Sequence, residues 1–176
     1  ARDLRRRRPD VPVGILNTAG IGSVIGGTNG AALSYGHIVD LETQAATANA
    51  AIGNLGYLIN AKTRGHAKKT TKFGSSTEAT IWDGGNEPLN GYRTGVSNQV
   101  PGNLTKGSSS GVCSAVIFGN WSDLILGMWS GLDLMVNQYA LADQGAVRVH
   151  AFQDVDFAVR NAASFAAMVD ALTPAT

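Results

Sequence analysis

One cysteine, Cys113, stands in 176 residues, so neither a disulfide framework nor a Cys-x-x-Cys metal pair can form within the chain. It lies in an apolar run, where a thiol packs as a small reduced core residue. Only three histidines occur, His37, His66 and His150, on three different predicted elements and with no His-x-x-x-His spacing to hold a metal. Charged residues make up 15% of the chain, with a formal net charge of +1. A surface so poor in charge tolerates burial against neighbours, though many ordinary domains share it. No stretch approaches the roughly 20 apolar residues that span a bilayer, and no signal peptide opens the sequence. A soluble product of a reducing cytoplasm, with no membrane partner, is therefore expected.

What is present is a globular balance, 44% hydrophobic, with 22 glycines gathered at apparent turns. The length fits one domain, or one domain with a small second lobe. The most informative stretch runs from Leu89 to Trp129. Tyr92, Thr94 and Val96 alternate with Arg93, Gly95 and Ser97, which predicts a half-buried strand stopped by Pro101. A Gly/Ser loop follows. Val112 to Phe118 is then apolar on both faces, as a central strand requires.

Upstream, Ile38, Leu41, Ala45, Ala48 and Ile52 recur at three- and four-residue steps, predicting a helix over 36–52 whose apolar face packs on the central strand. Asp40 and Glu42 would meet the positive end of its dipole, and Gly53 would cap its far end. Tyr57 to Asn60 reads as a short strand, with Asn60 capping a second helix that runs to about Lys69. Residues 70–77 read as a polar loop, Ala79 to Trp82 as extended chain, and Asp83-Gly84-Gly85-Asn86 as a turn. Downstream, Ser130-Gly131 suits a hairpin or a sharp bend between two strands. Residues 147–152 and 155–160 alternate as strands, and the last residues fit a helical turn or a strand.

Chemistry is hard to find. Gly20, Gly22 and Gly26 are wrongly spaced for a dinucleotide fingerprint, and no Gly-Lys-Ser/Thr follows. Neither Ser34 nor Ser122 sits in a Gly-x-Ser-x-Gly elbow. Asp154 and Asp156 share a strand face, where two exposed acids beside a turn are commoner than an acid/base pair. No enzyme and no cofactor is expected. Trp82, Tyr92, Trp121, Trp129 and Phe165 each read as core, with Trp82, beside a predicted loop, the weakest core candidate and a candidate contact between subunits.

The order Leu89-x-Gly91, Ser97-x-x-x-Pro101, loop, then an apolar strand ending Phe118-Gly119-Asn120-Trp121 resembles the major capsid proteins of tailed bacteriophages. The phrases Val13-Gly14-Ile15-Leu16-Asn17 after a proline, LINAKT at 58–63 and AVRNAASFAAMVDAL at 158–172 are similar to that family as well. The resemblance implies an α+β tailed-phage capsid fold, shared with encapsulins. It would place the end of a peripheral-domain helix and a glycine-rich connector at 1–35, an axial domain of mixed sheet and helices at 36–140, and returning peripheral-domain strands at 141–176. It also implies a shell subunit that self-assembles into hexamers and pentamers around double-stranded DNA. The expected partners are copies of itself in capsomers, a scaffold or maturation protease, a portal, and packaged DNA held without sequence preference. The expected location is the virion capsid, assembled in the host bacterial cytoplasm. The N-terminal arm, extended loop and most of the spine helix of that family have no counterpart before the Gly-Ile-Leu segment, so no cross-linking residue is carried over, and this chain alone is expected to fold without closing shells.

An encapsulin-like compartment shell is the alternative within the same fold. Arg5, Arg6, Arg7 and Arg8 stand just before Pro9 and Pro12, where a helix must end. They read as a solvated helix end or a contact between subunits, or, in a different class of function, as a salt-sensitive polyanion site. A hydrolase lacks its usual landmarks.

Overall fold

A computed structural model of the chain describes residues 12–74 and 79–173. Arg5 to Arg8, and part of the polar loop expected at 70–77, lie outside the described residues. In chain order the elements are β1 (Gly22–Ser23), β2 (Ala31–Ala32), α1 (Tyr35–Thr47), β3 (Leu55–Ile59), α2 (Ala61–Lys69), β4 (Arg93–Val96), β5 (Leu104–Lys106), β6 (Ser109–Asn120), β7 (Leu124–Met128), β8 (Asp133–Asn137), β9 (Arg148–Phe152), β10 (Val155–Val159) and β11 (Phe165–Leu172). The fold is α+β, as expected. Its main sheet runs β1-β11-β6-β3-β4, with β2 beside β11 and β5 beside β6. It is mixed: β3 and β4 are parallel, while β6 is antiparallel to both β3 and β11.

Strand β6 has neighbours on both edges and is covered on both faces, which explains its unbroken apolar run. Val116 and Phe118 face one side with Tyr57, Ile59, Ala166 and Met168. Ile117, Phe165 and Ala167 face the other, beneath Ile15, Leu16, Ile21, Leu58 and Trp121. Helix α1 closes the first side with Ile38, Leu41 and Ala45, all fully buried. The Tyr57 hydroxyl donates to the Ile38 carbonyl at 2.9 Å, tying helix to strand, and burial pushes its ionisation well above the ordinary range.

Helix α1 begins in a capping box: the Ser34 hydroxyl accepts from the His37 amide, while the His37 ring accepts from the Ser34 amide. It ends earlier than its hydrophobic spacing predicts. Asn49 takes a left-handed φ of 56°, its amide donates to Ala46 and that of Ala50 to Ala45, the paired bonds of a Schellman stop. Ile52 therefore lies outside the helix, 73% exposed, and Gly53 is not its cap. No acid occupies the first turn. Glu42 instead accepts from the Tyr92 hydroxyl at 2.8 Å and from the Asn90 amide.

Asn60 does cap α2, its side chain accepting from the Thr63 amide at 2.8 Å. The Gly/Ser loop proves partly structured, since β5 and β6 form a hairpin with Lys106 opposite Ser109. Gly107 takes φ 56° at its turn, where a Cβ would strike Asn29 Oδ1. The stretch from Ala79 to Trp82 forms no strand, only a bridge between Thr80 and Thr71. The glycine-rich connector packs on β11, and the Gly26 amide donates to the buried Asp170 carboxylate at 3.1 and 3.2 Å. The chain ends its described part as a strand, β11, inside the main sheet.

Candidate assembly interface

Between β6 and β11 the chain leaves the main sheet as an arm. Strand β7 does not fold back on β8 at Ser130-Gly131; it pairs with β10, and β8 pairs with β9. The two ribbons follow one another along a single long hairpin. They meet at a waist where the Trp129 amide donates to the Asp154 carbonyl at 3.1 Å and the Asp154 amide to the Ser130 hydroxyl at 3.0 Å. Ser130-Gly131 is thus a bend, one of the two alternatives left open by the sequence.

The root of the arm is held by a polar clamp. Asp123 is buried and accepts from Ser164 Oγ at 2.5 Å, from Asn120 Nδ2 at 3.2 Å and from Arg160 Nε at 2.9 Å, with Arg160 Nη2 closer still. The Arg160 amide returns to the Asp123 carbonyl at 2.8 Å. The Ser164 hydrogen bond, followed by the hydrogen bond and charge of Arg160 and then the Asn120 amide, holds this carboxyl below the ordinary aspartate range, against the opposing effect of burial. Alongside, Leu124 and Val159 pack against Ile117, Phe165 and Ala167, and Trp121 Nε1 donates to the Gly56 carbonyl at 3.0 Å while its ring stands edge-on to Phe165. This clamp went unseen in the sequence. Its trace is Asn120-Trp-Ser-Asp123 after an apolar strand, a turn whose Asn side chain accepts from the Ser122 amide.

Beyond the root the arm stands in solvent. Among the described residues, thirteen of the eighteen exposed large hydrophobic side chains belong to 124–159. Leu134 and Val136 share one ribbon face with Val149, and Met135 and Phe152 lie on the other, all more than half exposed. Monomeric proteins rarely leave so much contiguous apolar surface open. Trp129, read as core, is 72% exposed just past the end of β7, because no second layer among the described residues covers the arm there.

The remaining candidates are scattered. Trp82 is half-buried at the rim of the α1 core, with Lys68 Nζ 5.9 Å from its ring centroid. Tyr92 and Trp121 are partly buried and Phe165 fully so. His37 caps α1, His66 contacts Thr70 and His150 stacks on Phe152 in the arm. Cys113 is buried within β6, as expected. Asp154 and Asp156 are exposed on the arm, and Asp156 accepts from the adjacent Phe157 amide. Among the described residues no three His, Cys, Asp or Glu side chains converge to hold a metal.

Fold and arm together define a class: α+β proteins with a self-sufficient core and more apolar strand surface than they cover alone. Comparison with known proteins narrows it. Residues 9–170 match the Phage capsid family, and the chain belongs to that family. It is 31% identical over 154 residues to the major capsid protein of Halomonas phage phiHAP-1, covering 88% of this chain and 23% of that protein. Among solved structures it is similar to the capsid of an empty GTA particle (TM-score 0.68, 18% identity, 93% of this chain and 57% of that one). It is also similar to a chain from Mycobacterium phage Ogopogo (TM-score 0.61, 13% identity, 92% and 56%). At such identities the structural likeness establishes the fold, the tailed-phage capsid fold expected from the sequence. The chain spans a quarter or less of the curated relative it matches and a little over half of the solved chains.

Proposed function

We propose that this chain is part of a structural subunit of a phage or prophage shell, self-assembling into hexamers and pentamers that enclose double-stranded DNA. The observation that carries the reading is the arm: in a chain of the Phage capsid family, a rigidly rooted ribbon exposes apolar side chains on both faces, the surface that assembly buries. The role is geometric rather than catalytic. The main sheet and its helices, up to Asp123 and again from Asn161, correspond to the axial domain, and the arm at 124–160 to peripheral-domain strands. On this reading the division expected near 140 would fall within the arm, and β11, which pairs within the main sheet, would go with the axial part. Portal, scaffold or maturation protease and packaged DNA are its partners, the virion its location, and the host bacterial cytoplasm its place of assembly. The curated relative is a phage major capsid protein, which favours this over a compartment shell.

Within this reading Arg5 to Arg8 form a contact element at the edge of the peripheral domain. A shell must cover DNA of any sequence, and a cluster of arginines supplies a phosphate attraction without base readout. Trp82, half-buried beside Lys68, is a second contact candidate. Electron microscopy of the gene product that carries this chain tests the function. Closed shells containing nucleic acid are expected; a product that stays monomeric at every concentration and salt would refute it.

A further inference from the structure

Helix α2 carries a strongly basic outer face. Its first turns carry Lys62 and Arg64 and no acid, although a helix N-terminus favours negative charge. Gly65 stands mid-helix, where alanine is preferred, yet a Cβ there would meet nothing within 4 Å. Thr63 and Ala67 are the buried residues of the helix. With about 3.6 residues per turn, Gly65 falls on the opposite face, ringed by the exposed Lys62, Arg64, Lys68 and Lys69. Residues 61–74 contain five cations and no acid; Lys72 is paired, with Asp83 at 2.7 Å. Lys62 Nζ donates to the Gly102 carbonyl at 3.4 Å and Lys68 lies against Trp82, yet among the described residues no acid pairs with Lys62, Arg64, Lys68 or Lys69, so the face stays positively charged and open to an acidic partner.

The arm carries the complementary surface. From Leu124 to Val159 it has Asp133, Asp143, Asp154 and Asp156 against Arg148 alone. Three of these aspartates gather near the waist, Asp133 opposite Phe152 and Asp156 opposite Gly127, with Asp154 anchored to Ser130. The waist also exposes Trp129 and Phe152, aromatic faces that attract lysine and arginine.

Within one subunit the two surfaces lie at opposite ends of the sheet. Leu55 of β3 lies beside Asn120, next to the arm root, and Ile59 beside Val116, at the end from which α2 departs. Helix α1 spans the same ends. A side chain on Gly22 would meet both Gln44, late in α1, and Ala166, next to the arm root, whereas Tyr35, the first residue of α1, has Lys72 Nζ 5.2 Å from its ring centroid. Complementary patches at opposite ends of identical subunits make heterologous contacts, which close into rings when the rotation permits.

We propose that the basic face of α2 on one copy receives the acidic, aromatic waist of the arm of a second copy. The contact rests on the self-assembly reading above and names one interface within it. Charge reversal tests it in the full 176-residue chain by sedimentation velocity. Lys62→Glu with Arg64→Glu reverses α2 at positions where the helix dipole favours glutamate, and Asp133→Lys with Asp154→Lys reverses the waist. Far-UV circular dichroism reports that each variant is folded. Each should weaken self-association about tenfold or more, high salt should weaken that of the native chain, and an equimolar mixture of the two variants should associate again. A native chain that stays monomeric, a variant that associates like the native chain, or a mixture that fails to recover would overturn the contact. So would an α2 variant that loses retention on duplex DNA while its self-association is unchanged, which would assign the basic face to nucleic acid. Normal shells from the gene product carrying Lys62→Glu and Arg64→Glu would overturn the contact and leave the shell reading standing; absence of shells from the native product would sink the shell reading.

Discussion

Strands β6 and β7 are separated by a single turn and meet opposite fates. Val116 and Phe118 are fully buried, whereas Leu126 and Met128 are 60% and 63% exposed. Both strands are apolar, and both pair on their edges with returning chain. The difference is a second layer: α1 covers β6 on one face and the Ile15-Leu16-Ile21 segment covers the other, while nothing in the described chain covers the arm. Hydrophobic side chains therefore serve two ends here. In the body they stabilise the fold of one chain; in the arm they contribute only once a cover arrives.

Substitutions in each region separate side chains that hold the chain's own fold from those that await a cover. The largest effect belongs to the body: Leu41→Ala should destabilise the chain by about 2–5 kcal/mol, read from chemical denaturation, and a loss no greater than that of an exposed site would refute the packing of α1 on the sheet. At the boundary, Asp123→Asn should loosen the arm root, seen as faster amide exchange through 124–128 and 155–160 with the body strands unchanged. Because the Asp123 carboxyl is held below the ordinary aspartate range, its contribution is fully present above that range and disappears as pH falls through the lowered value. The native root should open in acid, and the asparagine variant should show a flatter response there; equal acid profiles would count against the clamp. Smaller still, Gly65→Ala should raise stability by about 0.5–1 kcal/mol through helix propensity alone, and a loss would mean that the glycine serves the subunit itself. The smallest change in stability is expected for Val136→Ser on the arm, within about 0.5 kcal/mol, although it should impair assembly. A substantial loss of stability would mean that the arm is already covered.

Much of the body was legible because local chemistry and tertiary outcome agree there. The two-sided apolar run of β6 and the Asn60 cap are signals whose physical cause acts within a few residues. The stop of α1 was misread because Ile52 continues the helical spacing, and the left-handed turn at Asn49 is a weaker signal than the glycine that follows. The arm was legible as strands but not as an arm. Ser130-Gly131 bends the chain whether its flanking strands pair with each other or with β9 and β10, and that choice is made by residues far away in sequence. Trp129 was placed in the core for a related reason, since a sequence shows that a side chain is apolar but not whether a second layer lies above it. The Asp123 clamp depends on Arg160 and Ser164, which only the closure of the hairpin brings to it.

The chain's three methionines divide between the two regions: Met168 is fully buried in the body, and Met128 and Met135 are 63% and 55% exposed on the arm. Oxidative footprinting of the isolated chain and of the assembled gene product, read by mass spectrometry, therefore reports whether assembly covers the arm. Met128 and Met135 should react readily in the isolated chain and become protected in the assembly, with Met168 protected in both. If Met128 and Met135 stay as reactive in closed particles as in the free chain, the arm is not the surface that assembly buries.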